Sequence, residues 1–275
     1  MGRESEAAGA RAAGRDAGSR VALRVLTYNI HRAIGVDRRF RPERILAILR
    51  RYDADVVMMQ EVDEGARRSK GLDLARVLAE GAGYPHLAAG YNVSLRHRKG
   101  RYGNATLSRF PIVRERNIDL TIDHRKRRGC QHTTLEVPVA GGEPRHLEVF
   151  NLHLGLSARE REKQVGILVR SEEFECIHGG CSSLVAGDFN DWRSRLRPIF
   201  TEVFGFASAT DRMPVGVDGA IPTYPSLAPR GALDRIYFRG RLRLHRCWRS
   251  RLQVARLASD HLPVIADFEA SPHHG

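Results

Sequence analysis

Short runs of β-forming residues alternate along the chain with a few amphipathic stretches. Residues 21–30 form an apolar run that ends in polar side chains, which predicts a strand followed by a loop. Pro42 opens a pattern with apolar residues on one helical face, and residues 72–82 repeat it, so both segments predict helices. Residues 55–60 are continuously apolar, which is typical of a strand buried on both faces.

The rest of the chain continues this alternation. Residues 84–150 contain short β-like runs separated by turns, which predict a hairpin-rich sheet. Residues 157–174 begin with a serine cap and an acidic first turn, and their apolar spacing predicts one helix. A basic run at 241–254 and an apolar segment at 260–268 predict the last strands.

The length of 275 residues and the hydrophobic content of 42% allow one large domain, which we expect at residues 21–270. Residues 1–20 consist of small and charged residues without apolar periodicity, so we expect a disordered tail there. No apolar run reaches the roughly 18 residues of a membrane span. The first 20 residues also lack the apolar core of a signal peptide. We therefore expect a cytoplasmic, monomeric protein.

The four cysteines form no CxxC pair, and their number is too small to staple a chain of this size. A reducing compartment is the simpler interpretation. Cys176, His178 and Cys181 lie close together in sequence, but they lack a fourth ligand at a spacing suited to zinc. The cysteines therefore give no support to a structural zinc site.

The net charge of +13 favours a polyanionic partner such as nucleic acid or an anionic lipid surface. Lysine, however, supplies only four of the 45 basic residues. Such an excess of arginine is typical of a GC-rich genome, so the charge alone leaves two explanations open. It reflects either the substrate or the composition of the genome.

Polar and acidic side chains follow one predicted strand after another. An isolated carboxylate at the end of a strand is usually a cap or a turn residue, so each motif by itself is a weak indication of function. Their succession along one chain is far more specific. The motifs are TYNIH (27–31), QE (60–61), NLHLG (151–155), GDFND (187–191), LDR (233–235) and SDH (259–261).

These motifs, together with GNATLSRFPI at 103–112, resemble the endonuclease/exonuclease/phosphatase superfamily, which includes deoxyribonuclease I and neutral sphingomyelinases. The resemblance extends over about residues 21–269. It implies an α/β fold, a four-layer α/β sandwich in which two mixed β-sheets pack face to face with helices outside. It also implies a divalent-metal-dependent phosphoesterase that hydrolyses phosphodiester bonds.

Hydrolysis of a phosphodiester requires neutralisation of the phosphoryl oxygens, an activated water and help for the leaving oxygen. Carboxylate and amide oxygens suit Mg²⁺, with Mn²⁺ as a possible substitute. Glu61 is the preferred metal ligand, assisted by Asn29 and Asp260. For Asn29, a purely structural role as a cap of the following loop is the alternative.

The resemblance implies roles for five further residues. Asp188 would orient or deprotonate the attacking water, and Asn190 would hold that water or a phosphate oxygen. His261 would donate a hydrogen bond to the scissile phosphate, while Asp234 accepts one from its other ring nitrogen. His153 corresponds to a second phosphate contact and is a candidate for protonating the leaving group.

Three nearby residues fit structural roles at least as well. Asn151 is balanced between function and packing because it lies in the NLHLG motif. Trp192 follows GDFND and is expected to shape its loop. Tyr224 precedes the LDR motif, where an aromatic ring is expected to pack beneath the site.

Two basic stretches flank the predicted site in sequence, at residues 96–101 and 125–128. The first supplies the candidate substrate-binding residues Arg96, Arg98, Lys99 and Arg101, although a solvated charge run is the default interpretation. Nucleic acid is the leading substrate on this basis. A phospholipid or sphingomyelin-type diester is the alternative, since basic loops equally suit an anionic bilayer. A catalytically silent phosphate-binding module is disfavoured because every expected catalytic position is filled.

Overall fold

The computed structural model describes residues 21–95, 100–138, 143–175, 177, 180–211 and 219–270. The predicted tail at residues 1–20 lies outside the described residues. Two six-stranded β-sheets form the centre of the molecule, and helices cover their outer faces. This is the predicted four-layer α/β sandwich, so the prediction of fold class is confirmed.

The first sheet has the strand order β11-β12-β1-β2-β4-β3. Its strands are β1 (Val21–Asn29), β2 (Val56–Glu64), β3 (His86–Ser94), β4 (Arg101–Ser108), β11 (Leu242–Arg249) and β12 (Val264–Ala270). The second sheet has the order β5-β6-β7-β8-β10-β9. Its strands are β5 (Ile112–Asp119), β6 (Gly129–Val137), β7 (Arg145–His153), β8 (Ser182–Asp188), β9 (Ala207–Ser208) and β10 (Asp234–Arg239). Both sheets are mixed, because β1–β2 and β7–β8 are parallel pairs among antiparallel neighbours.

Helices pack on the outer face of each sheet. The first sheet carries α1 (Pro42–Tyr52), α2 (Leu74–Ala82) and α5 (Gln253–Ala258). The second carries α3 (Ala158–Leu168), α4 (Glu172–Glu175) and a π-helical turn at Ile199–Val203. Short 3₁₀ turns occupy His31–Ala33 and Arg67–Ser69. No described helix combines the length and apolar character needed to cross a bilayer.

Strand β1 illustrates why the central strands are apolar on both faces. Leu23 and Val25 enter the core between the two sheets, whereas Leu26 and Tyr28 enter the core beneath the helices of the first sheet. Because side chains alternate between the two faces of a strand, a strand inside a four-layer sandwich needs apolar residues at nearly every position.

The structure corrects two predictions made from the pattern. The stretch at 84–150 is divided between both sheets, because β3 and β4 pair in the first and β5, β6 and β7 in the second. The predicted helix at 157–174 is two helices, α3 and α4. Ser171 separates them, since its backbone N–H and its hydroxyl both donate to the carbonyl of Leu168 and close the chain into a turn.

Parallel pairing brings the predicted motifs to one edge of the sandwich. In the first sheet, Asn29 at the end of β1 lies opposite Gln60 of β2. In the second sheet, Asp188 at the end of β8 lies between His153 of β7 and Asp234 of β10. The carboxyl ends of both parallel pairs therefore meet at the same edge.

Candidate functional site

Asp188 is the point on which the side chains at this edge converge. Its Oδ2 accepts a hydrogen bond from Asn29 Nδ2 at 3.0 Å, which joins the two sheets. The same oxygen lies 3.4 Å from His153 Nε2 and 3.7 Å from His261 Nε2. Asp188 is almost fully buried, and burial is the main reason that its pKa rises to about 6; nearby Asp234 raises it further, whereas His261 opposes the rise.

Glycine is required immediately before Asp188. Gly187 has a φ of 141°, and a Cβ at this position would lie 1.9 Å from the carbonyl oxygen of Leu152 on the neighbouring strand. The G-D pair of the GDFND motif thus lets β7 and β8 approach closely where the carboxylate must be placed.

His261 and Asp234 form the contact that the sequence predicts. His261 Nδ1 lies 2.8 Å from Asp234 Oδ2, and both side chains are buried. Burial favours the neutral imidazole, but the charges of Asp234 and Asp188 outweigh it and raise the pKa of His261 to about 10. The ring is therefore an imidazolium near neutral pH, with its Nε2 directed towards Asp188.

Several contacts fix the orientation of this pair. Thr223 Oγ1 donates to Asp234 Oδ2, and the ring of Tyr224 lies 5.0 Å from the ring of His261. The hydroxyl of Ser259 donates to the carbonyl of Asn29 at 2.7 Å and accepts from the backbone N–H of His261 at 3.2 Å. The loop that carries His261 is thereby attached to the end of β1.

His153 has the opposite protonation preference. Burial is the first cause that lowers its pKa well below the ordinary value, and the positive charges of Arg128 and Lys126 contribute. Arg128 is itself buried and its Nε has no hydrogen-bond partner among the described residues. Arg128 and His153 line a narrow cavity together with Glu61.

The three predicted metal ligands lie around the same edge. Glu61 sits in a bulge of β2 between Met59 and Val62, and its buried Oε2 has no described hydrogen-bond donor, although Arg32 Nη2 lies 3.3 Å away. Asn29 Oδ1 accepts from the backbone N–H of the following turn at 3.1 Å. Asp260 is partly exposed beside His261.

The side chains that lie close enough together to share a metal ion are not the three predicted ligands. Asp188, Asp234 and His261 offer ligand atoms that all lie within 4.8 Å of one another. Within the described parts of the chain, Glu61 and Asp260 do not join this group. His261 Nδ1 in this group is already engaged by Asp234, at 2.8 Å from its Oδ2.

Five non-glycine residues at this edge have a strained backbone conformation. Residues 31–33, Glu61 and Asn190 all have positive φ angles although none is glycine. Such conformations cost free energy and persist where the surrounding structure enforces them, which is common at functional sites. Asn190 is held by its backbone N–H to Asp188 Oδ1 at 3.0 Å and by its Nδ2 to the carbonyl of Leu154 at 3.0 Å.

Only one of the four predicted substrate-binding residues, Arg101, is described by the structure. Residues 96–99, with Arg96, Arg98 and Lys99, lie outside the described residues. Arg101 is paired with Glu64, and its guanidinium lies 4.6 Å from the centre of the Tyr91 ring.

Arg128 lies at the site although it is not one of the predicted site residues. It belongs to the basic stretch at 125–128, for which the sequence leaves both contact with a polyanion and a solvated charge run open. Its position one residue before β6 was the available indication, because β6 adjoins the strand that ends in His153.

Asn151 has a structural role in the described contacts. Its Oδ1 accepts from Gln60 Nε2 at 2.8 Å, and its Nδ2 donates to the carbonyls of Met59 and Ala105 at 3.2 and 3.1 Å. Asn151 lies in the second sheet and these three partners in the first, so the side chain bridges the two sheets directly beneath the site.

Comparison with known proteins places this arrangement in a family. The model of the Endonuclease/Exonuclease/phosphatase family matches residues 26–261, and the chain belongs to that family. Members of the family hydrolyse phosphoester bonds.

Individual relatives agree with this assignment. The chain is 30% identical over 262 residues to the uncharacterized protein YbhP of Escherichia coli, covering 89% of this chain and 95% of YbhP. An endonuclease/exonuclease/phosphatase structure from Beutenbergia cavernae has a TM-score of 0.74 at 24% identity, over 91% of this chain and 72% of that one. Mannosyl-6-phosphatase Bt3783 of Bacteroides thetaiotaomicron has a TM-score of 0.66 at 18% identity, over 90% and 99% of the two chains. These two structures share the fold.

Proposed function

We propose that residues 21–270 form one catalytic domain that hydrolyses phosphodiester bonds with the help of a divalent cation. The observation that carries this proposal is the convergence of Asn29, His153 and His261 on the buried Oδ2 of Asp188. The carboxylate supplies a base for the attacking water, and the two histidines of opposite protonation preference supply one cationic and one neutral hydrogen-bond donor for the substrate.

Asp188 is the proposed general base. Its raised pKa of about 6 leaves it ionised at neutral pH but makes it more basic than an ordinary carboxylate. The hydrogen bond from Asn29 and the backbone N–H of Asn190 fix both of its oxygens. A water held between Asp188 and the side chain of Asn190 would be oriented for attack and would pass its proton to the carboxylate.

His261 is the proposed electrostatic partner of the phosphoryl group. Because Asp234 holds Nδ1, the protonated Nε2 is directed towards the position where a phosphoryl oxygen would bind. A fixed cationic donor in a buried site stabilises the negative charge that grows on that oxygen in the transition state.

His153 is proposed as a neutral hydrogen-bond donor to the substrate. Its depressed pKa makes it a poor proton reservoir at neutral pH, so proton delivery to the leaving oxygen is not its favoured role. Arg128 lies on the same side of the site, and its unpartnered Nε suits contact with an anionic oxygen of the substrate.

The residues at the edge fit a hard divalent cation, with Mg²⁺ the first choice and Mn²⁺ the second. Glu61 presents a buried carboxylate oxygen that lacks a described hydrogen-bond donor, and Asn29 and Asp260 supply further oxygens at the strand and loop ends of the same edge. A cation bound by Glu61, Asn29 and Asp260 would neutralise phosphoryl charge as a Lewis acid.

Nucleic acid and a phospholipid headgroup diester are the two substrate candidates, because the positive charge of Arg128 and the neighbouring Lys126 beside His153 suits either polyanion. The surface described in the next section favours the phospholipid. The mannosyl-6-phosphatase neighbour is similar to this chain in fold alone, so it assigns no substrate here.

The test is product release from a panel of plasmid DNA, single-stranded DNA, RNA, anionic phospholipid vesicles and the soluble diester bis(4-nitrophenyl) phosphate, with Mg²⁺ or with EDTA. We expect hydrolysis that requires the cation and that falls by about 10²-fold or more in His261→Ala.

The matched control is His245→Ala, since His245 is a half-exposed histidine of β11 that is paired with Glu269 of β12. It should retain wild-type activity. Binding of phosphodiesters without turnover by the wild-type protein would instead identify a silent phosphate-binding module. Equal activity of His261→Ala and the wild type would refute the assigned centre.

A further inference from the structure

Five large apolar side chains are exposed in the segments that carry the candidate site. They are Val36, Leu156, Trp192, Leu227 and Leu257, and together they are called the apolar rim. Leu156 is 76% exposed and Trp192 is 56% exposed. Among the described residues only Val113 and Val203 are comparable, and they lie on β5 and on the π-helical turn rather than in these segments.

The backbone segments of the apolar rim contact one another in sequence around the site. The N–H of Val36 donates to the carbonyl of Leu257 at 3.1 Å. The next residue back, Arg256, accepts at its carbonyl from the hydroxyl of Ser226 at 3.0 Å, and Ser226 directly precedes Leu227.

The remaining members are joined in the same way. Trp192 packs edge-on against Tyr224, with ring centres 5.8 Å apart, and Tyr224 in turn contacts His261. Arg161 donates to the carbonyl of Leu156 at 2.7 Å and lies 3.6 Å from Asp191, the residue before Trp192. The apolar rim is therefore a connected arc beside the catalytic edge rather than a set of scattered residues.

Each segment of the rim also carries an exposed arginine. These are Arg38, Arg159, Arg193, Arg230 and Arg256, and none of them forms an ion pair with another described residue. The exposed Asp37 in the first segment is neutralised by Arg44, whose Nη2 lies 2.7 Å from its carboxylate. The arc thus alternates apolar side chains with unpaired positive charge.

This combination matches the boundary of an anionic bilayer. Apolar side chains lower the free energy of binding when they enter the boundary between the headgroups and the acyl chains. Trp favours the headgroup level, and arginines interact with lipid phosphates. Nucleic acid is a poorer match for the rim. Four of its five members are aliphatic and have no aromatic face on which a base can stack.

We propose that the apolar rim docks the protein on anionic phospholipid membranes and presents the Asp188–His261 centre to headgroup phosphodiesters. The docking surface is independent of catalysis, whereas the choice of substrate rests on the proposed function. The net charge of +13 then acts in the same direction as the rim, by attracting the whole protein to a negative surface.

The first experiment measures sedimentation of the full chain with vesicles of phosphatidylcholine alone or mixed with phosphatidylglycerol. We expect binding only to the anionic vesicles, weakened by salt. The double variant Leu156→Ser/Leu227→Ser should bind at least about tenfold more weakly, since two apolar anchors are lost. Arg193→Gln should weaken binding by about fivefold.

The matched control is Val113→Ser/Val203→Ser, which removes the two exposed apolar residues outside the rim. It should bind like the wild type. Equal binding by the rim variant, the control variant and the wild type would overturn the proposal. So would loss of DNA retention, rather than vesicle binding, in the rim variant, because that result would make the rim a nucleic-acid contact.

Trp192 supplies a direct readout, because the chain has only two tryptophans. In Trp248→Phe the emission of Trp192 should shift to shorter wavelength on addition of anionic vesicles. An unchanged emission maximum would place Trp192 in water and contradict docking through the rim.

These measurements test membrane docking and hydrolysis independently of each other. His261→Ala should still bind vesicles, and the rim variant should still hydrolyse bis(4-nitrophenyl) phosphate while losing most of its activity on vesicle lipid. Vesicle binding without hydrolysis of any diester would remove the proposed function and leave the docking surface intact. Hydrolysis of the soluble diester without vesicle binding would do the reverse.

Discussion

At one end of the sandwich the two sheets meet through aliphatic side chains, and at the other end they meet through amides, carboxylates and imidazoles. Strand β7 passes from one end to the other along a single face. Leu147 and Val149 lie in the apolar core between the sheets, Asn151 bridges the sheets by hydrogen bonds, and His153 reaches the candidate site.

Strands β1 and β8 show the same progression. Leu23 and Val25 precede Thr27 and Asn29 at steps of two residues, and Ala186 precedes Asp188 in the same way. A strand can therefore anchor its first half by apolar burial and present chemistry at its last inward position. We therefore expect the early inward positions of a strand to determine stability and the last inward position to determine activity. Substitutions at successive inward positions test this expectation.

The largest expected effect is at the catalytic end. Asp188→Asn should lower kcat on a soluble diester by about 10²-fold or more, because an amide cannot accept the proton of the attacking water. Its melting temperature without added metal should not fall, since burial already disfavours the ionised carboxylate. Steady-state kinetics and thermal unfolding measure the two quantities. Loss of activity together with a large drop in melting temperature would show that the residue is structural.

The next effect in size lies in the middle of the interface. Asn151→Ala leaves the carbonyls of Met59 and Ala105 without this donor and should lower the free energy of unfolding by about 3 kcal/mol. Activity should fall as well, because Gln60 and the ends of β1 and β2 lose their connection to the second sheet. Urea denaturation with parallel kinetics tests both. Unchanged stability would contradict the bridging role.

A smaller effect is expected two residues earlier on the same face. Val149→Ala removes apolar volume from the core between the sheets and should lower the free energy of unfolding by about 2 kcal/mol. Because the site lies at the other end of β7, the kcat of the folded protein should remain within about twofold of the wild type. A loss of kcat as large as that of Asn151→Ala would show that the two ends are coupled through packing rather than through hydrogen bonds.

The sequence predicts which strand positions are apolar and which are polar better than it predicts the partners of those residues in the fold. The apolar run at 55–60 predicts a strand buried on both faces, and β2 is such a strand. The resemblance of the motifs supplied the sandwich. Neither could assign β4 and β5 to different sheets, because the three residues that connect them look like a hairpin turn, whereas β4 pairs with β2 and β3 and β5 pairs with β6.

Side-chain placement shows the same limit at the site. The contact of His261 with Asp234 follows from the family motifs, whereas the approach of Arg128 to His153 depends on where the loop between β5 and β6 places Arg128. The apolar rim was equally hidden, since its five members are spread over more than 200 positions and only the fold makes them neighbours. Isolated exposed leucines in a sequence carry no such information.

The smallest effect is expected in the first half of β1, away from Asn29. Arg24 Nε donates to Asp267 Oδ1 at 2.6 Å, and although burial opposes it, this pairing lowers the pKa of Asp267 below its ordinary value of 3.8. A lowered folded pKa means stability that is complete above the unfolded pKa and lost as the pH falls through the folded value. Asp267→Asn should therefore cost about 1 kcal/mol at neutral pH. The difference from the wild type should shrink as the pH falls below about 4, with kcat unaffected. Denaturation curves across acid pH measure it, and a difference that grows towards low pH would contradict the pairing.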